Sequence, residues 1–329
     1  MGELRFLLNS GKNKKFPYYL RNGLRYLCPT FLCRRKLASL LSEAVSRNDA
    51  EYIQSRVDYY NRLTHDTPLS TNPRRIGDFR LFGKSRRKCG TVYFFDAYQY
   101  LRYFPSSLRW EYYPGDITTI PAIPALVKSR PIADNNHNSV VMKLNKIRHF
   151  IFIDDTIPFE RKIDKVLFRG KVSGKPVREA FMLQYFGHPL CDLGDISRHG
   201  RSEWRCKKLT IWEQLQYKFI LALEGNDVAS NLKWIMSSGS VAVMPPPRYE
   251  TWFMEGTLIP NVHYIAIKPD FSDLEERIKY YISHPDETQR IIENAHRYVE
   301  MFKDRRREKL ISLLVLQKYF RYTGQSHKS

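Results

Sequence analysis

Residues 217–270 read YKFILALEGNDVASNLKWIMSSGSVAVMPPPRYETWFMEGTLIPNVHYIAIKPD, and this stretch decides the fold class. Residues 217–223 are an apolar run long enough for a buried strand, and residues 224–227 are a polar turn. Residues 229–238 have helical spacing, with Leu232, Trp234, Ile235 and Met236 clustered. Residues 240–244 are apolar and partly β-branched, and Pro245, Pro246 and Pro247 stop them. Residues 263–267 form a third apolar run, closed by Lys268, Pro269 and Asp270. Strands alternating with helices predict βαβ units and a parallel sheet. Ligands bind such sheets beyond the carboxyl ends of the strands, where Asn226, Asp227, Ser230 and Asn231 fall. A helix start with unpaired backbone N–H groups suits phosphate. Ser230 and Asn231 equally suit an ordinary helix cap.

Working outward, residues 166–168 read as a strand with Arg169 and Gly170 at its carboxyl end, and residues 177–185 as the following helix. Residues 191–193 are a short strand, 197–208 a polar loop, and 210–216 a helix leading into the strand at 217. After Asp270 the chain is helical: Ser272–Glu275 has capping-box spacing, and Pro285 suits the first turn of a further helix. Residues 309–320 carry a final apolar helical face. Toward the N-terminus, residues 37–63 predict a helix, 64–88 a loop, 91–95 a strand, 96–104 a helix, and 150–153 a short buried strand ending in Asp154 and Asp155. Residues 158–165 predict a short helix or linker. The boundary falls near residue 155, giving an N-terminal α/β domain over 1–155 and a Rossmann-like domain over 156–329.

The chain of 329 residues carries a net charge of +20, which favours anionic partners such as nucleic acid, an acidic membrane or phosphorylated ligands. Residues 1–40 hold nine Lys or Arg against one acid, interleaved with aromatics, and a second basic cluster is KDRRREK at 303–309. A membrane or nucleic-acid contact and a plain solvated face both fit the first cluster. No apolar run of 18 residues or more predicts a spanning helix. MGELRFLLNSGKNKKF lacks a signal peptide's apolar core. Five cysteines at irregular spacing predict thiols in a reducing cytosol rather than a disulfide or zinc framework. GKVSGKP at 170–176 misses the P-loop pattern: its glycines are one residue too close, and Pro176 stands where the magnesium-binding hydroxyl belongs. No G-x-G-x-x-G follows a strand, so a nicotinamide or flavin fingerprint is absent.

EGNDVASNLKW, SSGSVAVMPPP, ETWFMEG and LIPNVHY, together with FIDDTIPFERKIDKVLFRGK, LNKIRHF and PALVKSRPI upstream, resemble glycosyltransferase family 90. NDVASNLKW and ETWFMEGTLIPN are most similar to the bacterial lipopolysaccharide A protein branch, whose relatives include protein O-glucosyltransferases and capsule-associated xylosyltransferases. The resemblance covers roughly residues 112–302. It implies a GT-B fold, two Rossmann-like domains facing a cleft, with the last helices crossing back to the first domain. It implies inverting transfer of a hexose, glucose or galactose, from a nucleotide sugar to a lipopolysaccharide core or related surface saccharide. The donor is a UDP-hexose, with no other cofactor. Two departures stand out: GDIT at 115–118 where eukaryotic members read RDYP, and NLK at 231–233 where they carry FRFK.

The candidate donor site gathers Arg169 and Gly170 at a strand end, Arg178 on the next helix, and Asn226, Asp227, Ser230, Asn231 and Lys233 at a second strand end. Arginine suits bidentate binding of diphosphate oxygens, and Glu255 can accept from ribose hydroxyls. The resemblance assigns the catalytic base to Asp116, with Asp154 and Asp155 in reserve. Asp154 and Asp155 also fit a capped turn, or the metal-holding aspartates of another glycosyltransferase class; no metal is expected. Expected partners are the nucleotide sugar, the glycan acceptor and an anionic membrane surface, at the inner face of the cytoplasmic membrane. The alternatives are a protein or capsule-glycan O-glycosyltransferase of the same fold and, in another class, a basic nucleic-acid-binding protein.

Overall fold

The computed structural model describes residues 10–81 and 90–325. Positions 1–9 of the basic N-terminal stretch, 82–88 of the expected loop, Cys89 and the last four residues lie outside the described residues.

In chain order the first elements are α1 (Lys15–Leu27), α2 (Thr30–Arg35), α3 (Leu37–Ser46), α4 (Ala50–Tyr60), β1 (Arg74–Arg75) and α5 (Thr91–Leu101). Next come β2 (Arg109–Trp110), β3 (Tyr112–Tyr113), β4 (Ala125–Val127), β5 (Ser129–Pro131), β6 (Ser139–Val141) and α6 (Lys146–His149). Then follow β7 (Ile163–Gly170), α7 (Pro176–Tyr185), β8 (Cys191–Asp195), α8 (Ile211–Gln214), β9 (Tyr217–Leu221), α9 (Leu232–Met236) and β10 (Val241–Met244). The last are β11 (Tyr249–Thr251), β12 (Ile265–Ala266), α10 (Leu274–Ser283), α11 (Pro285–Glu300) and α12 (Arg305–Tyr322).

Two compact units form. The N-terminal unit comprises Lys14–Ile147, Tyr249–Met254 and residues 302–325. The central unit comprises residues 10–13, Arg148–Arg248 and Glu255–Met301.

The central unit is a five-stranded sheet in the order β8-β7-β9-β10-β12, with every pairing parallel. By chain position that is second, first, third, fourth, fifth, a doubly wound order. Val166, Leu167 and Phe168 in β7, Phe219, Ile220 and Leu221 in β9 and all of β10 are buried, as expected for a sheet covered on both faces. Phe181 and Met182 of α7 and Ile278 and Tyr281 of α10 complete one core with them. Thr210 caps α8 through a reciprocal box with Glu213, and Pro285 occupies the first turn of α11.

The N-terminal unit carries a smaller parallel sheet, β3-β4-β6, and two antiparallel pairs, β1-β2 and β5-β11. Its spine is α12, which packs against α3, α4 and α5 through Leu310, Leu313, Leu316 and Tyr319. Asp304 caps α12 by accepting from the Arg306 and Arg307 amides at 2.8 and 3.0 Å. Glu308 is buried between Arg56 at 2.7 Å and Lys143 at 2.5 Å, with the Trp252 indole N–H donating at 2.7 Å. Burial raises its pKa, yet Lys143 and Arg56 outweigh that and hold the carboxyl below its ordinary range.

Several local expectations differ from the structure. Residues 91–95 are the first turns of helix α5, not a strand. Their aromatic content favours strands, but Phe94, Ala97 and Leu101 recur at helical spacing and are buried, and packing overrides propensity. The helix expected over 37–63 is broken at Arg47, whose backbone turns extended and whose guanidinium holds Asp49 at 2.6 Å. Residues 150–153 join no sheet. Their backbone is satisfied by side chains instead: Asn13 donates to the Phe150 carbonyl at 3.0 Å, and Ser237 Oγ accepts from the Ile153 amide at 2.8 Å. Ser272 does not cap α10; its hydroxyl donates to Asp270 at 2.9 Å, and Asp273 precedes the helix. Residues 158–165 divide into a 3₁₀ turn, Phe159–Arg161, and the start of β7.

Candidate functional site

The strand order places β7 and β9 side by side, although β8 lies between them in sequence. Their shared carboxyl edge is the point where the winding direction reverses, the place such sheets bind ligands. Arg178, in the first turn of α7, reaches this edge. Its Nε donates to the Glu224 carbonyl at 3.1 Å, Nη2 to the Leu223 carbonyl at 2.8 Å, and Nη1 to the Lys171 carbonyl at 2.9 Å. A guanidinium has five N–H donors, so two remain, one on each Nη. Among the described residues no carboxylate pairs with Arg178. Burial, reinforced by the charge of Arg148, pushes its pKa down to about 10. A desolvated cation without a counter-charge favours an incoming anion.

The surroundings explain why the side chain sits there. The Arg178 guanidinium lies 5.7 Å over the Phe168 ring. That ring folds against Gly170, where an added Cβ would meet it at 2.7 Å. Gly225 lets the turn after β9 close on Arg178, because a Cβ there would stand 3.0 Å from Nη2. Asp195, at the end of β8, accepts from the Val172 amide at 3.0 Å and the Ser197 amide at 2.7 Å, tying the loops after β7 and β8 together. Lys175 donates to Asn226 across the same edge.

The other residues expected at the donor site are placed as follows. Arg169 turns toward β8 and pairs with Asp192 at 2.6 Å, with a second bond to the Asp192 carbonyl at 2.8 Å. Burial raises the Asp192 pKa, but the Tyr217 hydroxyl and Arg169 bring it below the ordinary value. Tyr217 is in turn pushed up to about 12 by burial and by Asp192. Asp227 is buried, and its carbonyl accepts from the Gly225 amide at 3.1 Å. Asn231 precedes α9 without a side-chain cap bond; its amide donates to the Leu221 carbonyl at 2.8 Å, fixing the turn to β9. Ser230 is half-buried in the same turn. Helix α9 has five residues, so its dipole is small. Lys233 and Glu255 form an ion pair with side chains 0% and 1% exposed. This pair is therefore built into the core of the central unit.

In the N-terminal unit Asp116 pairs with the buried ammonium of Lys128, which lies between β4 and β5. The turn is pinned by Ser129 Oγ, 3.1 Å from both the amide and the carbonyl of Ile117, and by Gly115 at φ +108°. Asp155 is a turn residue: it pairs with Lys162 at 2.8 Å and accepts from the Gly239 amide at 2.9 Å. Among the described residues no three His, Cys, Asp or Glu side chains are grouped to hold a metal ion. Within the basic cluster at 303–309, Arg306 pairs with Glu43 at 2.7 Å and Arg307 with Asp49 at 3.3 Å. Among the described residues no helix is long and apolar enough to cross a membrane.

Sequence reasoning missed Lys128, Arg148, Lys175 and Gly225. Gly225 carried a signal, as a glycine in the polar turn after a strand, and Lys175 lay within the GKVSGKP stretch set aside as a failed P-loop. The others matter through partners far away in the chain.

A family model described as Glycosyl transferase family 90 matches residues 141–319. The chain is 40% identical over 311 residues to O-glucosyltransferase LpsA of Dichelobacter nodosus, covering 93% of this chain and 95% of that protein. It is 27% identical over 139 residues to Protein O-glucosyltransferase 2 of Danio rerio, spanning 40% of this chain and 28% of that one. It is 26% identical over 136 residues to Protein O-glucosyltransferase 3 of Rattus norvegicus, spanning 40% and 26%. The chain belongs to glycosyltransferase family 90. It is a glycosyltransferase, and the nucleic-acid-binding alternative has no support among these relatives.

Proposed function

From that membership we propose that this enzyme is an inverting hexosyltransferase that moves glucose or galactose from a UDP-hexose to a lipopolysaccharide core or related surface saccharide. Arg178 carries the reading: a half-buried cation with two unused N–H donors stands at the carboxyl edge of β7 and β9. That is the chemistry a diphosphate leaving group requires. Lys175, Asn226 and the backbone around Gly170 and Gly225 extend the donor site, with Arg169, Asp227, Ser230 and Asn231 shaping its wall and the Lys233–Glu255 pair supporting it. Two compact units, each with a parallel sheet, support a GT-B arrangement in which the N-terminal unit takes the acceptor and the central unit the donor.

In the proposed reaction Asp116 takes the proton of the acceptor hydroxyl. The acceptor oxygen forms its bond to the anomeric carbon as the bond to the diphosphate oxygen breaks on the opposite face. The diphosphate leaves with the electron pair, and Arg178 stabilises the developing charge. The match to O-glucosyltransferase LpsA along nearly its whole length supports glucosyl transfer, and the likeness of NDVASNLKW and ETWFMEGTLIPN to the bacterial lipopolysaccharide A branch is what favours a surface glycan as acceptor. Such an acceptor is membrane-held and anionic, which suits a chain of net charge +20 working at the inner face of the cytoplasmic membrane. The test is transfer from UDP-glucose and UDP-galactose to truncated lipopolysaccharide, read as a one-hexose mass gain. No gain with either donor, in a protein that binds UDP, would overturn the acceptor assignment.

A further inference from the structure

Helix α1 is amphipathic the wrong way round for a helix that only packs on its own protein. Its inward side is polar and aromatic. Tyr18 donates to Asp96 at 2.8 Å, Arg25 donates to Gln99 at 2.9 Å, and Tyr26 packs on Phe94 and Tyr98 of α5. Its outward side is apolar: Phe16, Leu20, Leu24 and Leu27 are between 52% and 77% exposed. At 3.6 residues per turn these four fall within about 80° of one another, a continuous stripe. In α2, Phe31 and Leu32 are also exposed. Scattered exposed leucines are ordinary, but a contiguous apolar stripe marks an interaction surface.

The charge around the stripe selects the partner. Between residues 10 and 42 there is no Asp or Glu, while Lys14, Lys15, Arg21, Arg34, Arg35 and Lys36 flank the apolar residues. Tyr19, half-exposed beside them, has the apolar body and polar tip that favour a membrane interface. With 13 residues, α1 is about 20 Å long, too short to span a bilayer and suited to lie in its plane. A protein partner would not require this one-signed rim, whereas anionic headgroups around an acyl layer meet both features.

We propose that α1 and α2 form a membrane-inserting face that binds anionic phospholipid bilayers, with Phe16, Leu20, Leu24 and Leu27 entering the acyl boundary. This deepens the proposed work at a membrane surface and changes its basis: attachment comes from insertion as well as charge.

Flotation with vesicles of phosphatidylethanolamine and phosphatidylglycerol tests it, beside vesicles of phosphatidylcholine alone. The wild-type chain is expected to float with the anionic vesicles, and high salt to weaken that binding without abolishing it. The L20D/L24D double variant should partition more than tenfold more weakly, with melting temperature and UDP affinity unchanged. In F16W, the new indole should shift its emission to the blue on anionic vesicles. Partitioning of L20D/L24D equal to wild type would overturn the proposal, as would complete release by salt or equal binding to phosphatidylcholine. A concentration-dependent dimer abolished by L20D/L24D, with no vesicle binding, would assign the stripe to a second copy instead. Because no readout uses sugar transfer, failure here leaves the donor-site reading standing, and the reverse also holds.

Discussion

Replacing Arg178 by glutamine removes the cation at the carboxyl edge of β7 and β9, and opposing effects set the outcome. The fall of the guanidinium pKa from 12.5 to about 10 corresponds to roughly 3 kcal/mol of disfavoured charge in the unliganded protein. Arg178→Gln removes that cost and also loses up to three bonds, to the carbonyls of Lys171, Leu223 and Glu224. At about 0.5–1.5 kcal/mol each, these nearly offset the gain, so unliganded stability should change by no more than about 2 kcal/mol. Donor binding has no such compensation. One charge-assisted N–H contact to a phosphate oxygen is worth about 1.5–3 kcal/mol, so losing even one should raise the UDP dissociation constant roughly 10- to 150-fold. UMP lacks the second phosphate and should lose much less. Isothermal titration with UDP and UMP, beside thermal melts of both proteins, reads all three quantities. An unchanged UDP affinity in a folded variant would refute the role of Arg178. Equal losses for UDP and UMP would show that the guanidinium meets some other part of the nucleotide.

Asp116→Asn should reduce transfer about 10²- to 10⁴-fold while leaving UDP affinity unchanged, as measured by single-turnover assays beside titration; near-normal turnover would move the base elsewhere. Lys233→Met takes the buried ammonium away from the Glu255 carboxylate and should cost about 3–5 kcal/mol in urea unfolding. Adding Glu255→Leu should recover most of that loss, and a wild-type unfolding midpoint for the single variant would count against a buried pair. Hydrogen bonding from Arg47, the largest effect, with help from Arg307, holds Asp49 down to about 2. Because the folded pKa lies below the ordinary value of about 3.9, its stabilisation is present above pH 4 and lost as pH falls toward 2. Asp49→Asn should therefore lower the melting temperature at pH 7 and leave it nearly unchanged at pH 2; a gap that persists at pH 2 would point to packing instead of charge.

Local pattern in the sequence was enough for much of the central unit. The apolar runs at 217–223 and 240–244, the strand before Arg169 and the helices α7 and α11 all show their period over a few residues, where backbone sterics and side-chain alternation act. The motifs likewise carried the family, and the family the chemistry. What the sequence could not contain was partnership across the chain. The β8-β7-β9 order brings Arg178 onto carbonyls at 223 and 224, and nothing near residue 178 announces it. Arg169 looks like a ligand-facing cation until Asp192 pairs with it, and Lys233 and Glu255 look like separate site residues until they bury each other. Residues 91–101 fold as a helix, and the apolar stripe of α1 faces out, because each helix face is chosen by what it packs against. Periodicity is a local property that short-range sterics write into the sequence. Which face is buried, and which charges find each other, depends on the summed burial of segments distant along the chain, and that sum exists only in the folded protein.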